Sequence, residues 1–198
     1  MPDRTERPPR RSPLAMAVLL LLTDEPLHPY GLRQRIQEWD KDRVINVSQR
    51  NAIYQTIDRL VRSGLITVLE TTRQDKRPER TVYQATDEGV AIAKRWLREM
   101  LASPVPEYPE FPAALAFIQA LPGQTVLDAL EARLAALEAN IVKLDKEVAD
   151  RIADIPGGVD RIYLVEIDYQ QAMWRAEVTW VRQLIDDLRS RNRRPKSR

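Results

Sequence analysis

The chain has 198 residues, 14 Pro, no Cys and a single His, enough length for one or two small domains whose core needs no disulfide. Without cysteine there is no disulfide framework, thiolate zinc site or cysteine nucleophile, and His28 alone cannot make a two-His metal site. No Gly-rich phosphate loop, His pair or Ser-His-acid set occurs, so no cofactor, metal or catalytic activity is expected. The net charge of +2 hides an asymmetry: residues 1–100 carry 18 Lys+Arg against 14 Asp+Glu, residues 101–188 carry 7 against 15, and the last ten carry 6 against none. A mildly basic front, an acidic middle and a basic tail imply different partners for different segments.

Residues 1–12 are rich in Pro and Arg, lack an apolar period and are expected to form a disordered basic arm. Ser12-Pro13 then supplies an N-cap and a first-turn proline, and the apolar run Leu14 to Leu22 predicts a helix buried nearly all round. Arginines before that run superficially resemble the start of a secretory signal. However, no small-x-small site follows it, and it falls far short of the roughly 20 apolar residues of a membrane span. No membrane partner is expected, and the lack of disulfides suits a cytoplasmic location.

Pro26 and Pro29 end that helix, and a short one over about 30 to 40 carries Leu32 and Ile36. In the Pro-Leu-His-Pro turn, His28 is expected to pack or hydrogen-bond locally rather than bind a ligand. Ser48 is read as the N-cap of a third helix over about 49 to 63, which Ser63-Gly64 stops. At about 100° per residue, Ile53, Ile57 and Leu60 share one face with Val61 flanking them. Asn51, Gln55, Asp58, Arg59 and Arg62 gather on the other, with Tyr54 on the shoulder.

Residues 65–70 and 81–85 are β-branched and alternating, and predict a hairpin whose tip carries Arg73, Lys76, Arg77 and Arg80. Thr86 is expected to cap a fourth helix bearing Val90, Ala93, Trp96, Leu97 and Met100. Four prolines in residues 103–112 mark a linker or rigid corner. Beyond it, a short helix over about 113 to 121 precedes a long one with Leu127, Leu130, Leu134, Leu137, Ile141, Leu144, Val148 and Ile152 at spacings of three and four. A turn at Ile155-Pro156-Gly157-Gly158 leads to a last helix over about 159 to 190 with Ile167, Gln171, Trp174, Val178, Val181, Ile185 and Leu188. Such a helical hairpin carries one apolar stripe more than a monomer can cover. A homodimer interface is therefore expected at Leu130, Leu134, Leu137, Ile141, Leu144, Trp174, Val178, Val181 and Ile185.

The fold class is thus mainly α with a small β-hairpin wing. A winged helix-turn-helix domain (13–102) is followed by a Pro-rich linker (103–112), a helical, coiled-coil-like dimerisation domain (113–190) and a basic tail (191–198). Physically, a polar-faced third helix can enter a major groove and a cationic hairpin tip can lie against phosphate or in a minor groove. Asn and Gln pair with adenine and Arg with guanine, while wing cations position the protein without specifying sequence. The expected DNA contacts are Ser48, Gln49, Arg50, Asn51, Tyr54, Gln55 and Arg59 on the third helix. Tyr30 at the second helix and Arg73, Lys76, Arg77 and Arg80 on the wing complete the set.

Three stretches carry a resemblance: LAMAVLLLLTDEPLHPY from Leu14, NAIYQTIDRLVRSGLI from Asn51 and YQATDEG from Tyr83. Together they resemble the PadR family of bacterial transcriptional regulators over about residues 12 to 100, and the helices beyond 103 resemble its longer, dimerising subgroup. The resemblance implies that Tyr54 contacts DNA. It also implies that a dimer binds a pseudo-palindromic operator on double-stranded DNA and represses a promoter, often until a small molecule relieves it. Some family members instead activate or act with a partner regulator. Gln55 departs from the family's proline, and Pro29-Tyr30-Gly31 from its Gly-Tyr-Glu. Trp96 and Trp174 are either core aromatics or the walls of a pocket for a small aromatic effector. Asp145, Glu147, Asp150 and Asp154 are read as a solvated face rather than a Mg²⁺ site. The C-terminal arginines either add DNA affinity or only solubilise. The alternative reading is a winged helix that binds another protein, which would favour apolar residues where Asn51, Tyr54 and Gln55 stand.

Overall fold

A computed structural model describes residues 10–72, 80–153 and 155–193. The chain divides into two compact units at Pro106/Glu107.

In the first unit, helix α1 (Pro13–Asp24) starts where Ser12 Oγ accepts from Ala15 N at 3.1 Å. Its Leu-rich run is buried almost all round, with Ala15, Val18, Leu19 and Leu22 fully enclosed. The run is therefore a core helix, and among the described residues no helix is long and apolar enough to cross a membrane. Helix α2 (Pro29–Glu38), a single 3-10 turn (Lys41–Arg43) and helix α3 (Arg50–Arg62) follow. Strands β1 (Ile66–Thr72) and β2 (Arg80–Ala85) pair antiparallel, Ile66 opposite Ala85, with a bulge between Val68 and Glu70.

Helix α4 (Asp87–Ala102) is capped by Thr86, as expected: its Oγ1 accepts from Gly89 N at 3.1 Å and donates to the Gly64 carbonyl at 2.9 Å. One hydroxyl thus joins the start of α4 to the chain leaving α3. Gly89 is needed there, because a Cβ at that position would lie 2.0 Å from the Leu65 carbonyl oxygen. Arg11 pairs with Glu99 at 3.1 Å, so residues 10–12 are attached to the unit; residues 1–9 lie outside the described residues. The core joins Leu19 and Leu22 of α1, Leu32 and Ile36 of α2, Ile53, Ile57 and Leu60 of α3, and Ala93 and Trp96 of α4. The inward face of α4 is Ile92, Ala93 and Trp96, whereas Leu97, expected inside, is exposed.

The second unit has a short helix α5 (Glu110–Leu115), a long helix α6 (Gly123–Ala153) and a long helix α7 (Val165–Arg193). Helix α5 begins earlier than expected because Pro112 falls in its first turn, where a missing N–H costs nothing. Leu130, Leu137 and Leu144 of α6 and Val178, Val181 and Ile185 of α7 are buried within this one chain. Leu134, Ile141 and Trp174 are half-buried. Six of the nine positions expected at a dimer interface are thus already covered within one chain. The same heptad-like pattern serves equally to close a hairpin on itself, and α6 and α7 satisfy it intramolecularly. Asp145 accepts from Gln171 at 2.5 Å and pairs with Arg175, consistent with a solvated, ion-paired face.

Candidate nucleic-acid interface

Helix α3 buries Ile53, Thr56, Ile57 and Leu60 and turns Asn51, Tyr54, Gln55, Asp58 and Arg62 outward. Tyr54 is 55% exposed. The buried arc takes in Thr56 rather than Val61 because Thr56 lies closer to the centre of the Ile53–Leu60 face at about 100° per residue. Arg59 sits at the edge of the outward arc and is half-buried. Its Nη2 donates to Ser12 Oγ at 3.4 Å and its Nε is enclosed without a partner. Its guanidinium turns toward the N-terminus of α1.

Gln49, not Ser48, occupies the N-cap position of α3, and it makes no side-chain cap bond. Ser48 instead bonds Asn46, its hydroxyl donating to Asn46 Oδ1 at 2.6 Å and its N–H to the same oxygen at 3.1 Å. Because α3 starts after Gln49, Ser48 lies one residue before the cap position and its hydroxyl bonds within the preceding turn instead. Ser48 and Gln49 are exposed at a helix N-terminus that the N-cap side chain leaves uncapped, an arrangement suited to an anion. A polar depression of about 500 Å³ adjoins them, lined by Arg33, Gln37, Arg43, Asn46 and Ser48 among others. The side chain of Arg50 lies outside the described residues.

Helix α2 begins on His28, whose Nδ1 accepts from Gly31 N at 2.7 Å. His28 therefore acts locally, as expected. A Cβ at Gly31 would lie 2.8 Å from that nitrogen, so the glycine in Pro29-Tyr30-Gly31 leaves room for the cap. Tyr30 projects from this first turn, 68% exposed, with its ring edge-on to His28.

Strand β2 is tied to the same turn. Leu27 and Tyr83 exchange both backbone hydrogen bonds, at 3.1 and 3.0 Å. This pairing fixes the base of the wing against the start of α2, a link with no sequence signal beyond the alternation of β2. Burial pushes the Tyr83 hydroxyl above its ordinary value, and the Asp58 carboxylate adds to that, while a hydrogen bond with Thr81 opposes it. Tyr83, Asp58 and Tyr54 therefore form one electrostatic neighbourhood between α3 and the wing. Arg73, Lys76 and Arg77 lie outside the described residues, as does the side chain of Arg80.

Residues 18–95 match the transcriptional regulator PadR-like family. The winged unit is a PadR-like domain. Similar solved structures include Bacillus subtilis PadR in complex with operator DNA, at 22% identity and a TM-score of 0.68, covering 88% of this chain and 98% of that one. The same protein in complex with p-coumaric acid matches at 21% identity and 0.67, again over 88% and 98%. The PadR-like transcriptional regulator BC1756 from Bacillus cereus matches at 20% identity and 0.59, over 92% and 99%. These likenesses establish the fold, a PadR-like winged helix continued by C-terminal helices. No curated protein matches the sequence.

In the PadR-like domain, the outward arc of α3, Tyr30 and the exposed Ser48 and Gln49 are the expected site residues that the structure leaves accessible. Arg59 is half-buried at the edge of that arc. Trp96 is 4% exposed and packs in the domain's core. Trp174 is half-buried on α7, inside the second unit.

Proposed function

We propose that this chain is a homodimeric transcriptional repressor, acting in the cytoplasm, that reads a pseudo-palindromic operator with α3. The observation that carries this reading is the composition of the outward arc. Asn51, Tyr54 and Gln55 stand in a row of hydrogen-bonding side chains on a helix whose other face is core. Amides at such positions match the donor and acceptor pattern of adenine in the major groove. The uncapped N-terminus of α3 at Gln49 suits a phosphate.

Dimerisation is supported by an exposed apolar stripe on α7. Val165, Tyr169, Met173 and Trp180 recur at helical spacing on α7, with Tyr169 68% and Trp180 47% exposed. They lie opposite Val178, Val181 and Ile185, so α7 is apolar on two sides; on the second, Trp180 meets Phe111 of α5 edge-on, while all four residues stay exposed. The stripe exposes on the order of 400 Å² of residue surface, about half of one partner's share of a standard interface. A second copy is the occupant a two-fold operator requires. Release by a small aromatic acid is the effector reading, supported by the p-coumaric acid complex of Bacillus subtilis PadR.

The test is binding of the full chain to the DNA upstream of its own gene, against random duplex. The expected result is preferential binding at near-physiological salt; no preference for any fragment overturns the repressor reading.

A further inference from the structure

The outward arc of α3 holds one acid, Asp58, between Tyr54 and Arg62 on the same face. Arg62 does not neutralise it, because its Nε donates to the Asp58 main-chain carbonyl at 3.2 Å. Among the described residues, no Lys or Arg makes an ion pair with the Asp58 carboxylate. Its electrostatic neighbour is Tyr83, at the base of the wing.

An unpaired carboxylate on a surface that meets DNA is repelled by phosphate, and it weakens binding to every sequence alike. It gains only where the groove offers it a donor. The exocyclic amines are the donors of the major groove, N4 of cytosine and N6 of adenine. Adenine sets the N7 acceptor beside its amine, which a carboxylate meets with two like-charged lone pairs. Cytosine has a C–H at the corresponding place. A carboxylate is therefore satisfied by cytosine and penalised by the other bases, whereas the neighbouring amides of Asn51 and Gln55 favour adenine.

We propose that Asp58 is a specificity residue that selects a cytosine in each operator half-site by accepting from its N4 amine and by repelling bases that present an acceptor there. This rests on the reading of α3 as the recognition helix. Asp58 acts mainly against wrong sequences, so its removal costs discrimination more than affinity.

The test is selection from a randomised duplex library with the purified full-length protein and its D58N and D58A variants, each checked for wild-type melting. The wild type should enrich cytosine at one position per half-site, and replacing that base should weaken it about 5- to 150-fold. D58N should move the preference at that position to adenine, which a carboxamide pairs bidentately. D58A should lose the preference and bind random duplex more tightly than wild type. Enrichment of the same base by all three proteins overturns the assignment while leaving α3 as a DNA reader. If the wild type enriches no sequence, the reading of α3 fails and takes this assignment with it. Should D58A melt early, the D58N comparison decides alone.

Discussion

Arg182 of α7 is hydrogen-bonded to Glu138 of α6, and the pair repeats a heptad away on either side. Arg189 meets Glu131 at 2.7 Å and Arg175 approaches Asp145 at 3.5 Å. Arginines spaced by seven on one helix face acids spaced by seven on the other, running in opposite directions. The ladder flanks a seam of Leu130, Leu137, Leu144, Val178, Val181 and Ile185, and sets the register at which the apolar residues interlock.

Each ladder pair is half-exposed, so a single neutralisation should cost no more than about 1 kcal/mol. Charge reversal is more informative. Glu138→Arg should lower the melting temperature by confronting like charges, and adding Arg182→Glu should restore most of the loss. A double variant no more stable than the single one would show that the ladder does not set register.

Gly89→Ala should destabilise the winged unit by about 1 to 3 kcal/mol or more. The added methyl would meet the Leu65 carbonyl oxygen at 2.0 Å, with no flexible side chain to yield. Denaturant unfolding monitored in the winged unit measures this, and unchanged stability would mean that α4 can shift away from β1 freely.

Tyr83 gives the fold an alkaline limit. Its hydroxyl holds its proton more tightly than the ordinary value of 10.0, chiefly through burial. The folded state is therefore favoured while the proton is bound. This contribution is complete below the unfolded value and is lost as pH rises through the higher folded one. Tyr83→Phe should flatten the fall in stability above pH 10, measured as melting temperature against pH. An identical alkaline slope in the variant would remove Tyr83 from the cause.

Tyr169→Glu with Trp180→Glu should convert a dimer to a monomer by light scattering at micromolar concentration, with α6 and α7 still folded by circular dichroism. Neither side chain belongs to the buried seam, so helix pairing should survive. A dimer that persists would place the interface elsewhere.

Much of this was legible in the sequence because the signals were local. The Ser12 and Thr86 caps, the Ile53, Ile57 and Leu60 face and the alternation of β2 each depend on a few neighbouring residues. What was not legible depends on which surfaces meet. The heptad pattern of α6 and α7 reads the same whether it closes within a chain or between two, so periodicity alone does not name its partner. Arg59 follows the periodicity of the polar face, but Ser12, far away in sequence, draws its guanidinium inward. Ser48 is a cap-forming residue type, but α3 begins after Gln49, which leaves Ser48 one residue too early to cap it. The second stripe of α7 was present at Val165, Tyr169, Met173 and Trp180, masked by the stronger one opposite.

The central claim, that the outward arc of α3 reads DNA, is tested most directly by titrating binding to the upstream fragment against salt for wild type, Tyr54→Ala and Gln55→Ala. The wild type should lose affinity steeply as salt rises, through its phosphate contacts. Each variant should weaken the specific complex by about 1 to 3 kcal/mol, with the dimer mass unchanged. Equal binding by all three proteins at every salt concentration would contradict the assignment of α3 as the recognition helix.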